Sequence, residues 1–236
     1  MAVAVDIKDL LASGAHFGHK TSRWHPKMAQ FIHSKRNGSH IIDLTKTVEG
    51  LESALPFITK IVGSGKQVLF VGTKRQAKEI IEKAAADASM PFVTQRWLGG
   101  MLTNVKTTAE RVKHLKMLES RMLSGELNNR YNKLEVQRFQ EEIDELNFKY
   151  GGIKDMNGQP GAVFVIDMIE DKNAVAEARR LNVPVIAIAD TNADPSLADY
   201  VIPANDDALK AIQLITDYVV AAVAEGKAAR KSEDKK

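Results

Sequence analysis

Residues 162–190 read A-V-F-V-I-D-M-I-E-D-K-N-A-V-A-E-A-R-R-L-N-V-P-V-I-A-I-A-D. Ala162 to Ile166 is an unbroken apolar run rich in β-branched and aromatic side chains, as a strand buried on both faces requires. Glu170 to Leu181 reads as a helix, and Pro184 to Ala189 is again wholly apolar. Two such strands joined through a helix lie parallel in one sheet, connected by a right-handed crossover. This unit predicts a layered α/β fold.

The same alternation extends outward in both directions. Upstream, Gln67 to Val71 is an apolar strand, Lys74 to Ala88 a helix and Pro91 to Thr94 a short strand. Downstream, Tyr200 to Ile202 is a fifth strand and Asp206 to Ala224 a closing helix. One segment, Val105 to Tyr150, has no strand signal. Val136, Phe139, Ile143, Leu146 and Tyr150 fall three and four apart, a heptad seam. Val112, Leu115, Leu118 and Met122 precede them, with Gly125 and Asn128-Asn129 marking a turn. This predicts an antiparallel helical hairpin inserted in a five-stranded parallel sheet.

Before the sheet, Asp6 to Leu11 is a short helix, and Gly14 to Lys27 a polar, basic arm. Asn37-Gly38, between Phe31–His33 and His40–Leu44, signals a β-ribbon. Thr47 is expected to cap a helix carrying Val48, Leu51, Leu55, Ile58 and Val62, which Pro56 should kink or break. The chain so divides into 1–46 (helix, basic arm and ribbon), 47–104 with 151–225 (α/β domain), 105–150 (hairpin) and 226–236, a Lys-rich tail expected to be disordered.

At 236 residues and 44% hydrophobic, the chain can bury a substantial core. Absence of cysteine excludes disulfides and thiolate metal sites. No secretory signal is read, and no apolar run approaches the roughly 18 residues of a membrane span, so a cytoplasmic protein with no membrane partner is expected. The net charge of +3 is modest, but its distribution is polarised: His16 to Lys116 holds 17 Lys/Arg against 7 Asp/Glu, and Pro160 to Glu225 holds 4 against 11. A basic half of this kind suits a polyanion.

The motifs favour binding over catalysis. V-G-T-K-R at 71–75 follows the first sheet strand but supplies only Gly72 of the dinucleotide fingerprint G-x-G-x-x-G. Lys74 and Arg75, with Thr73, would instead hold an isolated RNA phosphate at the helix start. G-S-G-K at 63–66 precedes its strand and is followed by Gln67, so it reads as a helix end and turn. H-F-G-H at 16–19 offers two imidazoles and no acidic neighbour, too few for a metal, and none is expected. Around it, Lys20, Arg23, Trp24, His25, Lys27, Lys35 and Arg36 mix cations with rings, a pattern suited to phosphate contact and base stacking. R-W-L-G-G-M-L-T-N at 96–104 lies between a strand and a long helix. Arg96 and Lys106 would contact phosphates there, and Asn104 would add a polar contact. Trp97 would either stack on a base or anchor its loop in the core. Asp167, Asp190 and Asp194 at strand ends read as caps and turns. The competing readings are a nucleotide- or sugar-phosphate-binding α/β enzyme using Asp167 or Asp190, and a scaffold contacting proteins through its hairpin.

Taken in order, H-F-G-H (16–19), W-H-P-K-M (24–28), I-I-D-L-T-K-T (41–47), V-G-T-K (71–74), R-W-L-G-G-M-L-T-N (96–104), G-G-I-K-D-M (151–156), I-A-D-T-N-A-D-P (188–195) and Y-V-I-P-A-N-D-D-A (200–208) resemble the bacterial small-subunit ribosomal protein S-two family. The resemblance implies a flavodoxin-like sheet with an inserted coiled-coil hairpin, and a structural rather than enzymatic role without cofactor or small-molecule substrate. It further implies a place near the head–body junction of the small ribosomal subunit, contact with its ribosomal RNA and other small-subunit proteins, and help in recruiting the large mRNA-binding ribosomal protein S-one. His25 stands where the family commonly has Asn, Gln159-Pro160-Gly161 where Leu-Pro-Asp is usual, and Ala193 where Cys is frequent.

Overall fold

The computed structural model describes residues 5–233. Helix α1 (Ile7–Ser13) is capped by Asp6, whose carboxylate accepts the Lys8 N–H, and ends at Gly14 with φ +78°. Three short strands follow: β1 (Phe17–Lys20), β2 (Ile32–Arg36) and β3 (Ser39–Ile42), antiparallel in the order β1-β3-β2. Asn37 and Gly38 both take positive φ, as a two-residue hairpin turn demands. β1 corrects the expected polar arm. Beyond its pairing with β3 the strand has a tertiary contact: a Cβ on Gly18 would lie 2.5 Å from Thr191, so only glycine lets this strand close against the loop after 189.

Helix α2 (Leu44–Gly63) begins one turn earlier than expected. Asp43, not Thr47, caps it by accepting the Thr45 N–H at 2.9 Å. Thr47 is buried inside the first turn and donates its hydroxyl to the Pro203 carbonyl. Pro56 neither breaks nor ends the helix, because it faces solvent while Leu51, Ala54, Leu55, Ile58 and Val62 are buried on the other side.

Strands β4 (Val68–Val71), β5 (Phe92–Val93), β6 (Ala162–Val165), β7 (Val185–Ala189) and β8 (Tyr200–Pro203) form a wholly parallel sheet in the order β5-β4-β6-β7-β8. The first-entered strand lies second from the edge and chain order reverses between β4 and β6, the flavodoxin arrangement. Side chains alternate between two cores. Val68, Phe70, Phe164, Ile186, Ile188 and Ile202 pack with α2 and with helices α3 (Lys78–Ala88) and α8 (Leu209–Glu233). Leu69, Val71, Val163, Val165, Val185 and Ala187 pack on the other face with Trp97, Ile153 and helix α7 (Lys172–Arg180).

Between β5 and β6 run α4 (Val105–Leu123), the short α5 (Glu126–Arg130) and α6 (Lys133–Tyr150). α4 and α6 share a small core of Leu115, Leu118, Ile143 and Leu146. The expected turn at Asn128-Asn129 is helical instead, since Leu127 is buried; the chain reverses after it, and Asn132 and Glu135 form a capping box that starts α6.

The expected disordered tail is also corrected: α8 continues to Glu233. Gly226, where the expected tail begins, is a contact between helices, where a Cβ would lie 2.6 Å from the Thr59 carbonyl oxygen and 2.8 Å from Val62 Cβ. Residues 234–236 of that expectation lie outside the described residues. Among the described residues no helix is long and apolar enough to cross a membrane.

Candidate nucleic-acid interface

The reversal of strand order between β4 and β6 is where this sheet type ordinarily receives a phosphate. Here protein groups fill it. After β4 the chain passes Gly72, where a Cβ would press on Ile81, Ala77 and Ile166. Residues 74–77 form a turn, and α3 starts only at Lys78, past the residues that line the crevice. The Thr73 N–H and hydroxyl both go to Asp171, at 3.1 and 2.9 Å. The Lys74 ammonium meets Asp167 at 3.2 Å, Asp206 at 2.7 Å and Asp207 at 2.7 Å. Burial alone would lower the lysine's pKa, but the carboxylates outweigh it, Asp206 foremost, and keep Lys74 charged. Burial pushes Asp171 up to about 6, against the hydrogen bonds from Thr73.

Lys74 is therefore not a phosphate ligand, and the expected anion site at 73–75 is a correction: three carboxylates from distant parts of the chain already neutralise it. Arg75 alone of that set is exposed, with no carboxylate in ion-pair range among the described residues. Asp167 and Asp171 turn inward on Ile169, Glu170 and Thr73 as caps and anchors.

Folding also assembles what the short motif lacked. The His19 ring lies 3.1 Å from Asp190 and 3.7 Å from Asp207, and its backbone N–H donates to Asp190 and Thr191. The hydrogen bond with Asp190 raises its pKa, more than burial lowers it. His19, Asp206 and Asp207 bring one donor atom each within 4.8 Å of one another, the geometry a metal ion could use. In this arrangement the Lys74 ammonium already rests on both aspartates.

The N-terminal sheet presents a different surface. Lys20, Arg23, Lys35 and Arg36 are exposed, and among the described residues none has a carboxylate within ion-pair distance. Lys20 and Arg36 both pair in register with Ser39, so they flank β3 from either side. Trp24 is 39% exposed. Its ring leans on buried His40 at 5.2 Å, and the Lys35 ammonium stands 5.9 Å from its centre.

Two expected members of this patch are engaged elsewhere. Lys27 donates to Asp194 at 2.9 Å and to Ser196 at 2.7 Å. His25 accepts the Lys27 N–H as a turn cap and approaches the same Asp194. A count of charges along the chain cannot show that the loop after β7 reaches back over the arm.

In R-W-L-G-G-M-L-T-N, Trp97 is 7% exposed and gives its indole N–H to Glu177 at 3.0 Å. Of the two readings left open for it, loop anchoring is the one the structure displays. Gly100 takes φ +92°, and Met101 and Leu102 are buried in the second core. Arg96, Asn104 and Lys106 remain exposed around this fixed loop. Glu177 went unnoticed in the sequence; its only signal there was a carboxylate set among Ala174, Val175 and Ala178 on the buried face of α7.

Comparison with known proteins adds the following. A model of the family described as Ribosomal protein S2 matches residues 10–226. A protein named Small ribosomal subunit protein uS2 from Roseiflexus sp. (strain RS-1) is 49% identical over 228 residues, covering 97% of this chain and 87% of the relative. Proteins of the same name from Mycobacteroides abscessus and Dehalococcoides mccartyi (strain CBDB1) are 50% and 48% identical, covering 98% and 96% of this chain and 82% and 92% of those relatives.

Proposed function

The chain belongs to the Ribosomal protein S2 family, whose members are structural rather than enzymatic, and from that premise we propose that it is a constituent of the small ribosomal subunit docking on ribosomal RNA through its N-terminal sheet. The observation that carries this reading is the set Lys20, Lys35 and Arg36 on the N-terminal sheet with Arg23 in the turn after β1, four exposed cations without carboxylate partners among the described residues. Like charges so gathered repel one another, and phosphate oxygens relieve that repulsion while releasing condensed counterions. Trp24 offers part of one face for stacking on an unpaired base. Arg75, Arg96, Asn104 and Lys106 form the second set of contacts. Lys27, Lys74, His25 and Trp97 are engaged with Asp194, the aspartates around Lys74 and Glu177, and serve the surface by holding its loops.

Other small-subunit proteins are its neighbours in this proposal, with a place near the head–body junction and assistance to the mRNA-binding ribosomal protein S-one. Family membership supports those finer points. An enzymatic reading has no support at Asp167 or Asp190, which are spent on Lys74, His19 and backbone amides.

Charge reversal at Arg23 and Arg36 tests the docking surface. In filter binding to small-subunit ribosomal RNA, the double variant is expected to bind at least about tenfold more weakly. The slope of log affinity against log salt should shrink by about two units. Wild-type affinity and slope in that variant would remove the N-terminal sheet from the interface.

A further inference from the structure

Glu177 projects from α7 toward the loop that joins β5 to α4. Its Oε1 accepts the Trp97 indole N–H at 3.0 Å and the Gly100 N–H at 2.7 Å. Its Oε2 accepts the Leu102 N–H at 3.0 Å, the Thr103 N–H at 3.1 Å and the Thr103 hydroxyl at 3.1 Å. Among the described residues no lysine or arginine comes within ion-pair distance of it. One carboxylate thus satisfies five donors, three of them backbone amides. Amides in an irregular loop have no ladder to join, and leaving them unpaired in a packed setting is costly. Charge-assisted bonds to a carboxylate meet that need better than neutral acceptors. The successive inward amides make a concave anion nest, and the protein fills it with its own side chain.

The placement of this fastening matters for docking. Arg96 stands exposed immediately before the loop, Asn104 and Lys106 immediately after it. α4 starts at Val105, two residues past the last bond to Glu177. We infer that Glu177 is a positioning residue: it fixes the relative placement of Arg96 and Lys106 and the direction in which α4 and α6 leave the sheet. The inference rests on the RNA-docking reading above.

The test uses the full chain and three changes: Glu177→Gln, the pair Arg96→Ala with Lys106→Ala, and all of these together. Gln keeps one acceptor oxygen but turns an NH2 group toward the Leu102 and Thr103 amides, so it loosens the loop without emptying the site. Glu177→Gln is expected to speed deuterium uptake at Gly100, Leu102 and Thr103 and to weaken binding to small-subunit ribosomal RNA about tenfold. The combined variant should bind no more weakly than Arg96→Ala/Lys106→Ala alone, because the carboxylate acts through those cations. A merely structural role would leave the losses additive. Thr103→Val, at an exposed position, repeats the comparison in milder form should Glu177→Gln not fold. RNA affinity unchanged by either variant, or losses that simply multiply, would overturn the assignment. The Arg23/Arg36 charge reversal runs alongside: normal binding there defeats the docking reading itself, whereas weakened binding there with a normal Glu177→Gln defeats only the positioning role.

Discussion

Arg23 and Lys27 are four positions apart and carry the same charge, yet they have opposite fates. Arg23 faces solvent without a carboxylate, while Lys27 is held by Asp194 and Ser196. His19 shows the same dependence on neighbours it cannot have locally. Its pKa is raised from 6.5 by the hydrogen bond to Asp190, against burial, with Asp206 and Asp207 adding to the rise. A raised native value means the folded state holds the proton more tightly than the unfolded chain. The stabilisation is complete below about pH 6.5 and lost as pH climbs through the native value. Wild-type urea midpoints should therefore fall more steeply than those of His19→Gln as pH rises above about 6.5. Parallel curves for the two proteins would mean that the imidazole takes no part in holding β1 to the sheet.

Elements were read from their apolar periodicity, and most of them follow it. β4, β6 and β7 lie where continuous apolar runs predicted them, because a strand buried on both faces needs no polar residue. α4 and α6 likewise meet through the seam positions Leu115, Leu118, Ile143 and Leu146. The misses occur where contact with another element outweighs local signal. β1 is too short and polar to announce itself, and it exists because Gly18 can approach Thr191. Gly226 opens the tail expected from the sequence but permits α8 to cross α2 closely. Gly226→Ala should thus destabilise the protein by about 1–3 kcal/mol despite alanine's better helix propensity, because the new methyl meets backbone that cannot move aside. Chemical denaturation would measure it; a neutral or stabilising outcome would show that α8 is free to shift at this point.

Across the whole molecule, the basic amino-terminal half and the acidic carboxyl-terminal half do not simply face apart. They interlock at Lys74, where the end of β4 meets Asp167 after β6 and Asp206 and Asp207 before α8. Removing that cation leaves neighbouring carboxylates packed together, one of them almost wholly buried. Lys74→Met is therefore expected to cost about 3 kcal/mol, read as a fall in the urea midpoint, with the RNA salt slope unchanged. A reduced slope in that variant would return Lys74 to the interface. The amino-acid sequence alone sufficed for the α/β class, the five parallel strands, the helical insertion and the family resemblance, because periodicity and ordered motifs are local properties of a chain. Which cations stay free for a polyanion, whether Trp97 is buried, and that Glu177 fastens the loop beside it were settled only by folding. Each depends on carboxylates and amides scores of residues away, and electrostatics and hydrogen bonding act over ångströms, not along sequence.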